Sequence, residues 1–122
     1  SGRIDQDLCV TGDADKLARV FDNILRNAVY HSYAGTAIGL CASRLADGTV
    51  EVVCTNRGDE IPREKLDLIF EKFYRLDSAR QSRGGGAGLG LAIAREIVQR
   101  HGGANTAASP PGATCFTVRL PQ

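Results

Sequence analysis

The sequence has no C-x-x-C pair and only two histidines, His31 and His101. A zinc site built from Cys and His needs ligands a few positions apart, whereas Cys9, Cys41, Cys54 and Cys115 stand far from one another. Each thiol lies among apolar or β-branched neighbours, where cysteine serves as a small core residue. Thiols used in this way point to a reducing, cytoplasmic compartment. No apolar stretch approaches the roughly 20 residues needed to span a bilayer, and no signal-peptide pattern opens the sequence. Secretion and a membrane span are therefore not expected. An excess of one charge is also lacking. With a net charge of +1 and 24% charged residues, overall electrostatics imply neither nucleic acid nor a membrane surface as partner. G-x-x-x-x-G-K-[ST] is absent, which excludes a P-loop. G-x-G-x-x-G after an apolar strand is absent too, which argues against a dinucleotide fold. Repeats and low-complexity segments are missing.

The 122 residues are enough for one domain with a single two-layer core. Residues 7–10 read as a short strand. Gly12 and Asp13 supply a turn and an N-cap, and residues 14–30 read as a helix with Leu17, Val20, Phe21, Ile24 and Ala28 on its apolar face. Residues 37–45 and 49–55 form a strand pair joined at Asp47-Gly48, a hairpin signal. Pro62 can open a short helix to residue 70. Residues 71–88 keep no period and are dense in Arg, Ser and Gly, as expected of a mobile lid. Residues 89–101 read as a helix closed by Gly102-Gly103, and strands are expected at 105–108 and 114–120. The order predicts an α+β fold, a mostly antiparallel sheet covered on one face by helices.

Two features carry chemistry. Asn23 and Asn27 are one helical turn apart, so both carboxamides share a side of the first helix, beside its apolar stripe together with Tyr30. Carboxamide oxygens are hard ligands that suit Mg²⁺. Downstream, Gly84-Gly85-Gly86-Ala87-Gly88-Leu89-Gly90-Leu91 runs into the last helix. Glycine costs a helix roughly 1 kcal/mol against alanine. Two glycines in one first turn therefore suggest that something approaches the backbone closely. Bare N–H groups at a helix N-terminus suit a phosphate. Together the two features read as a Mg·nucleotide site. The surroundings of the lid are basic, with Lys72, Arg75, Arg80 and Arg83 against Glu71 and Asp77.

Asn23-Ile-Leu-Arg-Asn27-Ala, Asn56-Arg-Gly58, Phe70-Glu-Lys-Phe73-Tyr-Arg75-Leu-Asp77 and Gly86-Ala-Gly88-Leu-Gly90-Leu-Ala-Ile resemble the N, G1, F and G2 boxes of bacterial sensor histidine kinases, in the family's order. Gly102-Gly103 and Gly112-Ala-Thr114-Cys-Phe116 resemble the end of the same catalytic domain, so the resemblance covers essentially the whole chain. Residues 13–21 and 69–77 are similar above all to the VanS-type kinases of glycopeptide resistance. The resemblance implies the Bergerat-type two-layer α/β sandwich shared with gyrase, HSP90 and MutL. It would have a mixed, mostly antiparallel sheet of about five strands, about three helices on one face, and an ATP lid near residues 71–88.

It further implies ATP and Mg²⁺ as ligands, with Asn27 as main metal ligand and Asn23 as second ligand or orienting residue. Gly58 would let adenine lie against the backbone, and Thr114 would sit near it, bridging through water. Arg75 would reach the terminal phosphate. Amides around Gly86, Gly88, Leu89 and Gly90 would hold the triphosphate. Three positions depart from the family pattern. Asn56 stands for the usual Asp that accepts from the adenine amino group, and its carboxamide can accept and also donate. Glu60 replaces a second glycine, and Tyr30 replaces a lysine beside the phosphates, which leaves His31 at the aromatic position packed on the base.

The family's acceptor histidine lies in a helical hairpin ahead of this domain and is followed by an acid, whereas His31 and His101 precede Ser32 and Gly102. The implied partners are therefore that upstream dimerisation and acceptor domain and, through the full-length kinase, a response regulator. The setting implied is the cytoplasmic part of a membrane-anchored protein. This domain itself would contact neither membrane nor nucleic acid. Relatives that hydrolyse ATP carry a glutamate at the position of Asn23 as base for water, a role an amide cannot fill. Two other readings stay open on residues alone: an anti-sigma-factor-like switch module, and a degenerate domain that binds no nucleotide. An acceptor helix upstream separates the first from a kinase, and a nucleotide titration separates the second.

Overall fold

The computed structural model describes residues 2–4, 8–72 and 90–121. Five strands form one sheet: β1 (Gly2–Ile4), β2 (Gly39–Arg44), β3 (Val50–Arg57), β4 (Ala104–Ala108) and β5 (Ala113–Leu120), ordered β1-β2-β3-β5-β4. Only β1 and β2 run parallel; the other neighbours are antiparallel. Helices α1 (Ala14–His31) and α2 (Gly90–Arg100) cover one face. This is the expected α+β sandwich with a mixed sheet.

Two local readings need correction. Residues 8–10 form no strand, and the edge strand lies earlier, at Gly2–Ile4. Parallel neighbours require a crossover, and α1 provides it, so the first strand stands well upstream of the helix. Val10 instead packs on the core from the connection. The helix expected at 62–70 is two 3₁₀ turns, Arg63–Lys65 and Leu68–Phe70, closed by i→i+3 bonds such as Glu71 N–H to Leu68 O at 2.9 Å. Tight turns let the adjacent Ile69 and Phe70 both reach the core. The described residues thus hold two α-helices and two 3₁₀ turns, roughly the expected helix count. The lid lies mostly outside the described residues.

Helix α1 starts where the sequence places it, with Lys16 N–H donating to Asp13 Oδ1 at 3.1 Å. Val20, Ile24 and Ala28, each four residues on, are buried against the sheet. Opposite them, Val50 and Cys54 of β3 and Phe116, Val118 and Leu120 of β5 form paired rows on the inner face. Phe70 meets Phe116 edge to face at 6.1 Å between centroids, and the Arg95 guanidinium lies 4.3 Å over the Phe70 ring. This stack holds the second 3₁₀ turn against β5 and α2. His101 joins the far ends of the two helices. Asp13 N–H donates to Nε2 at 3.1 Å, which leaves the proton on Nδ1 to donate to Ile97 O at 2.8 Å. Of the four thiols only Cys54 is buried, and burial pushes it up from its ordinary value; Cys9 and Cys41 are exposed, so the all-core expectation fails for them.

Asn105 is the anomaly of this core. It faces inward opposite Val118, is 1% exposed, and neither atom of its carboxamide has a hydrogen-bond partner. A buried polar group left unpaired costs about 1–3 kcal/mol. Asn105→Val is therefore expected to stabilise the fold by about 1–2 kcal/mol, read as a higher denaturation midpoint at unchanged slope. A lower midpoint would show that the amide is satisfied in solution.

Candidate functional site

The inner face of the sheet turns polar at one end. Along β3 the inward row reads Val50, Val52, Cys54, Asn56, and its antiparallel partner row on β5 reads Leu120, Val118, Phe116, Thr114. Asn56 and Thr114 are directly opposed, and both are buried, at 2% and 4% exposure. Opposed side chains on one face stand about 5 Å apart, close enough to act on one ligand. Asn56 Nδ2 is shielded from solvent and has no hydrogen-bond partner.

Gly58 closes this end. A Cβ there would lie 2.4 Å from the backbone oxygen of His31 and 3.2 Å from Asn56 Nδ2. Only glycine permits so close an approach of the β3 end to the end of α1. The α1 residues above it are half-buried, and the Tyr30 and His31 rings meet edge on at 4.8 Å. Asn27, one turn earlier, is half-buried. Asn23 lies a further turn back, and its Nδ2 donates to the carbonyl of Gly90, the first residue of α2, at 3.0 Å. That bond brings the first asparagine pair against the start of the second helix. Asn23 with Gly90, His31 with Gly58, and Asn56 with Thr114 are thus brought together, and Asn27 and Tyr30 lie on the same turns of α1. Arg75, Gly86, Gly88 and Leu89 lie outside the described residues.

One element of the site has no signature in the sequence. Tyr33 Oη donates to Asp59 Oδ1 at 2.6 Å, and Tyr33 N–H donates to Arg57 O at 2.7 Å, clasping the loop after α1 to the loop after β3. Farther along, Ile61 N–H donates to Ser109 Oγ at 2.8 Å, anchoring that loop to the β4–β5 turn. The hydrogen bond to Asp59 is the main reason the Tyr33 phenol sits above its ordinary value. A raised folded-state value means that the clasp is present below the usual tyrosine range and lost as pH rises through the shifted value. The difference in phenolate absorbance between the chain and Tyr33→Phe should report ionisation above that of a free tyrosine, and Asp59→Ala should lower it. An unchanged titration in Asp59→Ala would refute the clasp.

The chemistry on offer is polar, oxygen-rich and amide-based. Among the described residues no group of three or more His, Cys, Asp or Glu side chains is placed to hold a metal. Carboxamide oxygens such as those of Asn23 and Asn27 are among the hard oxygen donors that suit Mg²⁺. A profile of the histidine kinase-, DNA gyrase B-, and HSP90-like ATPase family matches residues 12–122. The chain belongs to this ATPase family.

Among relatives, the sensor protein VanS of Enterococcus faecium is 53% identical over 116 residues, which cover 95% of this chain and 30% of VanS. The chain thus spans less than a third of that protein. The nucleotide-free catalytic domain of histidine kinase ThkA superposes with a TM-score of 0.84 at 26% identity, covering 98% of this chain and 76% of that one. Full-length ShkA in complex with AMPPNP gives a TM-score of 0.83 at 28% identity, covering 99% of this chain and 25% of that one. The relatives and solved structures the chain resembles are thus sensor proteins and histidine kinases. No helix among its described residues is long and apolar enough to cross a membrane.

Proposed function

We propose that this domain binds Mg·ATP and donates the γ-phosphoryl group to a histidine on a separate dimerisation and acceptor domain of a two-component sensor kinase, with a response regulator downstream. The observation that carries the reading is the convergence of residues remote in sequence. Asn23 bonds Gly90, Gly58 abuts His31, and Asn56 faces Thr114. The ShkA complex with AMPPNP, a chain of the same fold, supports an adenine nucleotide as ligand.

The donor set suits that ligand. A buried amide with an unpartnered N–H is a group that a planar base edge can satisfy. Asn56 and Thr114 read the edge, Gly58 lets the end of β3 lie close beneath the end of α1, and His31 packs on the base. Asn27 offers its oxygen to Mg²⁺. Asn23, already committed through Nδ2 to Gly90, orients the α2 N-terminus and keeps its own oxygen as a second ligand. Tyr30 donates one hydrogen bond to the phosphates. Gly90 exposes its amide at a positive helix end, and Arg75, Gly86, Gly88 and Leu89 complete the phosphate site. Bound Mg²⁺ supplies charge neutralisation on the phosphate oxygens.

Asn23 cannot remove a proton from water, so ATP is held rather than hydrolysed. Both nitrogens of His101 are engaged, at Asp13 and Ile97, which makes it a poor nucleophile. The chain alone, given γ-labelled ATP, should therefore acquire no acid-labile label. A separately supplied acceptor hairpin should acquire it in the chain's presence. Label on His31 or His101, or steady ATP turnover by stringently purified chain, would overturn the reading.

A further inference from the structure

We propose that the base subsite accepts 6-oxopurine nucleotides, with hypoxanthine or guanine as base, as well as adenine nucleotides. This rests on the nucleotide reading above and extends it to substrate class. The buried polar side chains of the described residues are Asn56, Asn105 and Thr114, and Asn105 lies against Val118, away from the polar end of the sheet. The base edge is therefore read by one carboxamide and one hydroxyl.

Neither group has a fixed polarity. A carboxamide carries an acceptor oxygen and donor nitrogen side by side, and a hydroxyl rotates to donate or accept. Adenine presents an N6–H donor beside the N1 acceptor. A 6-oxopurine presents the reverse, an O6 acceptor beside an N1–H donor. A carboxamide turned one way matches the first pair, and turned over it matches the second. Turning over usually breaks bonds that the protein makes to the amide. Here Nδ2 has no partner to lose. Nor, among the described residues, does a buried charge select one orientation: Arg57, Asp59 and Glu60 are exposed, and Asp59 is engaged by Tyr33.

A carboxylate at this position would behave differently. It accepts from N6–H but cannot donate to O6, so the 6-oxopurine would bury an unpaired acceptor against a negative charge. Sites built on hydrogen bonds reject mismatched ligands by large factors for this reason, up to ~10⁴-fold. Asn56 removes that rejection. The domain would then draw phosphoryl groups from either class of purine nucleoside triphosphate.

The test is titration of the chain and of Asn56→Asp with the Mg²⁺ complexes of ATP, ITP and GTP. ITP isolates the 6-oxo edge, and GTP adds the 2-amino group. The chain is expected to bind ITP within about tenfold of ATP, and the ITP-to-ATP ratio of Kd should rise at least about 100-fold in Asn56→Asp. GTP bound as well as ITP supports the guanine half; GTP disfavoured by more than about 100-fold against ITP overturns that half and leaves the hypoxanthine half standing. If the chain disfavours ITP by more than about 100-fold, or Asn56→Asp leaves the ratio unchanged, the proposal is overturned while the ATP site stands. If Asn56→Asp does not fold, the ratio in the unaltered chain decides. Failure to bind ATP at all overturns the nucleotide reading and this proposal together.

Discussion

Asn27→Ala is expected to weaken Mg·ATP binding by about 100-fold while leaving the protein folded. That factor corresponds to about 2.7 kcal/mol, in keeping with loss of one of the few protein oxygens that Mg²⁺ takes in a phosphate site. Stability should hardly change. Asn27 sits half-buried beside the buried Ile24 and Ala28, and its side chain forms no hydrogen bond among the described residues. Alanine is also the better helix former, by a few tenths of a kcal/mol. Adenosine, which lacks phosphates, should bind variant and parent alike. Asn27→Asp retains a hard oxygen and should recover part of the loss. An unaltered ATP isotherm in folded Asn27→Ala would remove the metal from this helix.

Gly58→Ala is expected to fail at the other end of the site. Its methyl group would lie 2.4 Å from the His31 backbone oxygen, a contact that no side-chain rotation relieves. The end of α1 and the end of β3 must separate, at a cost of about 1–3 kcal/mol for overpacking of this kind. The separation moves His31 away from Asn56. Here adenosine and ATP should weaken together, by about 30-fold, or ~2 kcal/mol. Equal losses for the two ligands mark the base end; a loss confined to ATP marks the phosphate end. If Gly58→Ala binds adenosine normally, the base lies elsewhere.

How legible the molecule was from its sequence depended on how local each cause is. Helix α1 was legible because its cap at Asp13 and its four-residue apolar spacing act within the helix. The β2–β3 turn was legible because Asp47 and Gly48 encode it directly: Thr49 N–H donates to Asp47 Oδ1 at 2.9 Å, and Gly48 takes φ +91°. Strand β1 was not, since its three residues gain their pairing from Leu40, Cys41 and Ala42, far along the chain. The 3₁₀ turns at 63–70 were read as one helix because the two share most of their composition preferences. The asparagines and glycines of the site stood out by type and order. Asn23's bond to Gly90 and the Tyr33–Asp59 clasp span 67 and 26 positions, and residue type alone announces neither. Asn105 likewise reads as an ordinary polar residue until the register turns it inward.

The central claim is that one nucleotide bridges the polar end of the sheet, the last turns of α1 and the start of α2. Residue-resolved amide chemical shifts during titration with Mg·ATP test it most directly. The account predicts the largest shifts at residues 23–31, 56–58, 90–91 and 114, with adenosine moving only the groups near Asn56, Gly58, His31 and Thr114. Saturable shifts confined to another face of the domain, or none at all, would contradict it.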